Sequence, residues 1–149
     1  MGHARCFIEY MPRGTTINAE SYCRTLENFR QAIQNKRRGM LTSGVMLLHD
    51  NARPHTAAAA TNQLKQLKWN ILDHPPYSPD LAPCDFHLFP KLKYWMATQC
   101  FNNDSIEEMK CGVKNWLENQ SMDFYEQGLR KLVTRYDKCL NLDGDYVEK

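Results

Sequence analysis

The chain has 149 residues, with 19 Lys and Arg against 17 Asp and Glu, a formal net charge of +2 and a pI near 8.2. That length suits one domain with a proper core, and the charge is too mild to argue nucleic-acid binding by itself. No signal peptide opens the chain and no apolar run approaches the roughly 18 residues of a membrane span. Six cysteines (Cys6, Cys23, Cys84, Cys100, Cys111 and Cys139) lack any CxxC spacing. They fit reduced thiols better than a disulfide framework, so a soluble cytosolic or nuclear protein is expected.

Taken in order, Cys6–Met11 has the aromatic and β-branched character of a strand, and Pro12-Arg13-Gly14 supplies the turn that ends it. Thr15–Ile17 suits a second short strand. Asn18 reads as an N-cap, because Tyr22, Leu26, Phe29 and Ile33 follow at helical spacing. The basic turn Lys36-Arg37-Arg38 and then Gly39 are expected to stop that helix. Val45–Leu48 is a continuous apolar run, expected as a buried strand that delivers His49, Asp50 and Asn51 to its C-terminal end.

A helix is expected next, from near Pro54 through Leu67, followed by a brief strand at Trp69–Leu72. Pro75, Pro76, Pro79 and Pro83 then exclude regular structure and make a stiff loop. Asp85 opens a helical stretch. Leu88, Phe89, Leu92 and Met96 share its face, which places Asp85 inward. Pro90 is expected to kink that helix or to mark where its regular bonding begins. Ser105-Ile106-Glu107-Glu108 reads as a capping box, opening a helix with Ile106, Met109, Val113, Trp116 and Leu117 on one face. A last amphipathic helix carries Phe124, Leu129, Leu132, Val133, Tyr136 and Leu140, and a polar tail follows from Asn141. Strands first, then alternating strand and helix, then helices make a mixed α/β fold.

The chemistry centres on Asp50 and Asp85, with 34 residues between them. Two carboxylates at element ends suit a hard divalent ion such as magnesium, and two such ions can clamp both oxygens of a phosphodiester displacement. On spacing alone, cap or turn aspartates are the commoner reading. Asn51 suits either water positioning or a turn, and Arg53 either DNA phosphate or an exposed loop. His49, His55, His74 and His87 with Cys84 lack zinc-ligand spacing. Asp80 suits a third carboxylate less well than a loop-holding role. The basic clusters at Lys36-Arg37-Arg38 and at Lys91 and Lys93 read equally as solvated surface. No G-x-S-x-G elbow supports a serine triad.

The strings LLHDNARPHTA and HPPYSPDLAPCDFHLFPKLK resemble the catalytic domain of mariner-type transposases of the Tc1/mariner superfamily. Gly14–Asn18, Lys65–Leu72, Tyr136–Cys139 and Asp143–Tyr146 also fit, so the resemblance spans essentially the whole chain. It implies a ribonuclease-H-like (retroviral-integrase-like) mixed sheet flanked by helices. The expected layout is one partial catalytic domain over 1–149, with a core at 4–97 and C-terminal helices at 104–140. Asp50 matches the family's second catalytic and metal-binding aspartate and Asp85 the third. Asn51, Arg53 and His55 are candidates for supporting the site or meeting DNA, and Asp80 falls on a non-catalytic position.

The resemblance further implies Mg2+- or Mn2+-dependent cleavage and strand transfer at transposon inverted-repeat ends, in the nucleus. A homodimer is left open, and no membrane is involved. The family's first catalytic aspartate maps to about Met1 or just before it, and Glu9 does not match it. The first central strand is therefore expected to be largely missing, metal binding weak, and the chain inactive alone. The alternative is a non-catalytic, transposon-derived relic serving as a DNA-binding or dimerisation module.

Overall fold

The computed structural model describes residues 7–101 and 105–142. It falls into two compact units, Phe7–Tyr77 and a second built from Ser78 onward. The expected catalytic position near Met1 and the Asp143–Tyr146 match lie outside the described residues.

In the first unit, helix α1 (Ala19–Lys36) starts where Asn18 predicts. The Asn18 side chain accepts from the Ser21 amide, and Ser21 Oγ accepts from the Asn18 amide in return. The helix ends at Arg37, which leaves helical geometry, and not at Gly39. Gly39 instead lies inside a short second helix, α2 (Arg38–Ser43). The turn into the sheet falls to Gly44, whose φ of +93° suits glycine.

Strand β1 (Met46–Leu48) pairs in parallel with β2 (Asn70–Leu72), with Leu47 opposite Ile71. A parallel pair needs a crossover, which helices α3 (Arg53–Thr56) and α4 (Ala58–Leu67) supply. The single helix expected there is broken at Ala57, whose extended ψ of 147° interrupts it. Lys68 closes α4 in the left-handed conformation, sending its amide back to the Leu64 and Lys65 carbonyls.

The core of this unit is Leu26, Ile33, Val45, Leu64 and Trp69, with Tyr22, Phe29, Leu41, Leu47 and Leu67 packed against it. Fully burying each large side chain contributes about 1.5–3 kcal/mol. The Phe29 ring meets Trp69 edge-on at 5.7 Å. Two expectations fail here. β1 is not buried on both faces: Met46 is 70 % exposed, because the described sheet has only two strands. Phe7–Met11 and Thr15–Ile17 form no strands, while Cys6 lies outside the described residues. Side-chain contacts to α1 tie the first segment down instead: Phe7 packs on Phe29, and Glu9 accepts from Thr25 and Asn28. The turn at Pro12–Thr15 forms as expected, with Gly14 at a φ of +78° and the Thr15 amide bonded to the Pro12 carbonyl.

In the second unit, the proline loop is not wholly irregular, since Pro79–Leu81 makes one 3-10 turn. Its carbonyl at Asp80 accepts from Arg135, whose guanidinium lies 4.2 Å over the Phe86 ring. Cys84–Leu88 is a π-helical turn leading into α5 (Phe89–Thr98), then α6 (Ile106–Glu118) and α7 (Met122–Asn141). Pro90 stands in the first turn of α5 and marks where regular α-helical bonding begins. It has no N–H to give the Phe86 carbonyl four residues back, so a wider turn ahead of it removes the conflict.

Rings join these helices. Trp95 lies 6.0 Å from Trp116, and Trp116 meets Phe124 edge-on at 5.9 Å. Ser105 caps α6 by accepting from the Glu108 amide, one half of the expected capping box. Leu117 and Leu132 are buried as their faces predict. Ile106, Met109, Leu129, Val133 and Leu140 from those same faces are exposed.

Candidate active site

Asp50 stands two residues beyond β1, where the chain leaves the sheet and turns into α3. Its Oδ1 accepts from the Ala52 amide at 3.0 Å, an Asx-type turn that uses the aspartate's short side chain. The same oxygen accepts from His55 Nδ1 at 2.7 Å. Both bonds fall on Oδ1, so Oδ2 remains open, on a side chain 59 % exposed. Burial pushes the Asp50 pKa up. The Ala52 amide, the His55 hydrogen bond and the fields of His55 and His74 outweigh it, and the net shift is downward. Asp50 is thus an ionised carboxylate with one oxygen fixed and the other available.

Around it, His49 and His55 stack with ring centres 5.2 Å apart. Tyr22 of α1 bonds His49 Nδ1 through its hydroxyl at 2.7 Å and lies 4.1 Å from the His55 ring. Burial, with help from Asp50 and Cys23, raises the Tyr22 pKa to about 12, so the phenol keeps its proton. Burial and the neighbouring His55 lower the His49 pKa against the pull of Asp50, with His74 adding to the lowering. Asn51 Nδ2 donates to the His74 carbonyl at 2.5 Å, joining the end of β1 to the segment after β2. Arg53 is exposed at the start of α3. Tyr22 was missed as a site residue, because its spacing with Leu26, Phe29 and Ile33 marks it only as apolar helix face. Its site partners arrive from 27 or more residues away.

Asp85 belongs to the second unit, within the π-helical turn. The inward position expected from 3.6-residue spacing is corrected. The Phe89 amide bonds the Cys84 carbonyl five residues back, so the turn slips the phase, and Asp85 is exposed while His87 is buried at 4 %. The Asp85 amide is fixed by the Ala82 carbonyl at 2.9 Å, while no hydrogen bond among the described residues engages its carboxylate. His87 donates from Nε2 to the Phe124 carbonyl at 2.7 Å. Burial lowers its pKa, Lys91 and Lys131 assist and the carbonyl opposes, so it is a neutral packing residue. Asp80 is buried beside the Arg135 contact, which suits holding the loop. Glu9 spends both carboxylate oxygens on α1.

Hard divalent ions prefer carboxylate oxygen completed by water. The open Oδ2 of Asp50 and the unshared carboxylate of Asp85 fit that chemistry. Among the described residues, no group of three or more His, Cys, Asp or Glu forms a metal-holding cluster.

Residues 4–43 match the family described as Transposase (partial DDE domain). The chain is 40 % identical over 144 residues to the mariner Mos1 transposase of Drosophila mauritiana, covering 95 % of this chain and 41 % of that protein. The solved Mos1 catalytic domain with raltegravir and magnesium matches at a TM-score of 0.83 and 42 % identity, covering 91 % of this chain and 67 % of that one. A Mos1 paired-end complex with the left transposon end matches at 0.83 and 40 % identity, covering 94 % of this chain and 40 % of that one. The shared fold is the ribonuclease-H-like one, of which the described residues show a helix-rich form with a small parallel sheet. The chain belongs to the mariner-type transposases, and its match lies in their catalytic domain.

Proposed function

We propose that residues 1–149 form part of a transposase catalytic domain of the Asp-Asp-Asp type, with Asp50 and Asp85 as its second and third metal-binding acids. The observation that carries this reading is the Asp50 carboxylate, with Oδ1 held by Ala52 and His55 and Oδ2 open. Asn51, bonded to the His74 carbonyl, is read as supporting the site, and the exposed Arg53 as a contact for DNA phosphate. When bound, Mg2+ or Mn2+ supplies Lewis-acid activation of the nucleophile and the leaving oxygen. The chain's own task is to hold its two carboxylates ionised and oriented. The substrate is DNA at transposon inverted-repeat ends, and the setting is the nucleus. A magnesium ion in the Mos1 domain and a transposon end in the Mos1 complex support the metal and the partner.

In this reading the 149 residues carry the second and third acids, and among the described residues neither Glu9, engaged by α1, nor Asp80, which is buried, is taken as the first. Metal binding is then weak and cleavage very low. A nicking assay on transposon-end DNA with Mg2+ or Mn2+, using Asp50→Ala as control, tests this. Robust cleavage by the wild-type chain, abolished by the substitution, would sink the inactive reading and keep the catalytic assignment. The second reading is a non-catalytic, transposon-derived relic serving as a DNA-binding or dimerisation module, and the exposed Leu129, Val133 and Leu140 on α7 favour its dimerisation form.

A further inference from the structure

Tyr22 sits at the N-terminal end of the apolar row of α1, one turn before the buried Leu26. A phenylalanine would fill that row equally well. The hydroxyl is spent elsewhere, on His49 Nδ1 at 2.7 Å, a partly buried bond made across 27 residues of sequence. The ring is also spent, lying 4.1 Å from His55 and 6.0 Å from His49. One side chain therefore touches both imidazoles that flank Asp50 and that stack on each other. His55 in turn holds Asp50 Oδ1.

We propose that Tyr22 is a positioning residue of the Asp50 site, clamping the His49–His55 pair so that His55 keeps Oδ1 and Oδ2 stays turned toward a divalent cation. The inference rests on reading Asp50 as a metal ligand. In this clamp the Tyr22 hydroxyl donates, so His49 accepts at Nδ1 and carries its proton on Nε2. The carboxylate accepts only, so His55 carries its proton on Nδ1 when it bonds Asp50. The two rings are held in complementary roles, and the tyrosine supports both. Partners of ligating side chains tune metal affinity by about 10–100-fold, the range expected of such a clamp.

The test uses the full chain as wild type, Tyr22→Phe, Tyr22→Leu and Asp50→Ala. Mn2+ alone is the probe, titrated by electron paramagnetic resonance. Long-range proton–nitrogen NMR of the imidazoles without metal, and thermal melting, accompany it. The expected result is that Tyr22→Phe weakens Mn2+ binding about 10-fold and removes the single His49 tautomer while the melting temperature holds. Tyr22→Leu, which also loses the ring, weakens binding further. The proposal is overturned if Tyr22→Phe matches wild type in Mn2+ affinity and imidazole spectrum while Asp50→Ala still weakens binding. If Asp50→Ala binds Mn2+ as wild type does, or wild type binds none, the metal reading of Asp50 fails. The spectrum then decides for Tyr22: tautomers altered in Tyr22→Phe support the clamp, and unaltered ones overturn it.

Discussion

Asp50 and Asp85 occupy opposite kinds of setting. Asp50 is fixed through its side chain, with one oxygen held by an amide two residues on and by His55 five residues on. Asp85 is fixed through its backbone, by a widened helical turn ahead of a proline, and its carboxylate takes no bond among the described residues. The difference teaches that a carboxylate can be aimed by its hydrogen bonds or by the path of its chain. The two devices fail in different ways. Hydrogen bonds fail when a partner is removed, and a chain path fails when packing shifts it.

The largest expected effect attacks the support of the first setting. Leu64 is 1 % exposed and packs with Leu26, Ile33, Val45 and Trp69 behind β1. Leu64→Ala should destabilise the protein by about 2–5 kcal/mol, read as a lower urea midpoint followed by tryptophan fluorescence. A loss under about 1 kcal/mol would mean that this core does not hold the Asp50 side in place.

The second attacks the packing around the π-helical turn. A Cβ at Gly128 would stand 2.9 Å from His87 Cδ2 and 3.2 Å from Cγ. Gly128→Ala should therefore cost about 1–3 kcal/mol by overpacking, even though alanine is the better helix former. If the variant proves more stable than wild type, the fit of α7 to His87 is looser than the distances say.

The smallest effect concerns pH, and it returns to the first setting. Tyr22 has a folded pKa of about 12 against an ordinary 10.0. The unfolded chain therefore loses this proton first. The stabilisation is fully present below about pH 10 and is lost as pH rises toward 12. Stability measured across that window should fall more steeply for wild type than for Tyr22→Phe. Equal slopes would mean that the Tyr22 phenol is not buried beside Asp50 as the structure has it.

Much of both settings was legible in the residues. The Asn18 cap, the row Tyr22-Leu26-Phe29-Ile33, the β1 run, the Lys65–Leu72 passage and the Ser105 cap are local signals, written in spacing and in side chains that bond their own backbone. The failures are equally specific. Gly39 looked like a helix stop, but Arg37 breaks the helix and Gly39 enters another. Phe7–Met11 has strand-like composition, but strand character needs a ladder partner, and its side chains pack on α1 instead. The inward position of Asp85 assumed 3.6 residues per turn across a stretch that turns more widely.

By itself, the sequence determined most of the long helices and where β1 ends, and its resemblance to the mariner-type catalytic domain put Asp50 and Asp85 at the head of the candidate acids. The helices and the strand end depend on periodicity, caps and proline, all of which act within a few residues. Only the tertiary structure decided that Asp50 offers Oδ2 while Oδ1 is held, that Tyr22 joins His49 to His55, and that His87, not Asp85, is the buried group of its turn. The physical reason is distance along the chain. Tyr22 and His49 meet across 27 residues and His87 and Phe124 across 37, and no local pattern encodes a contact of that span.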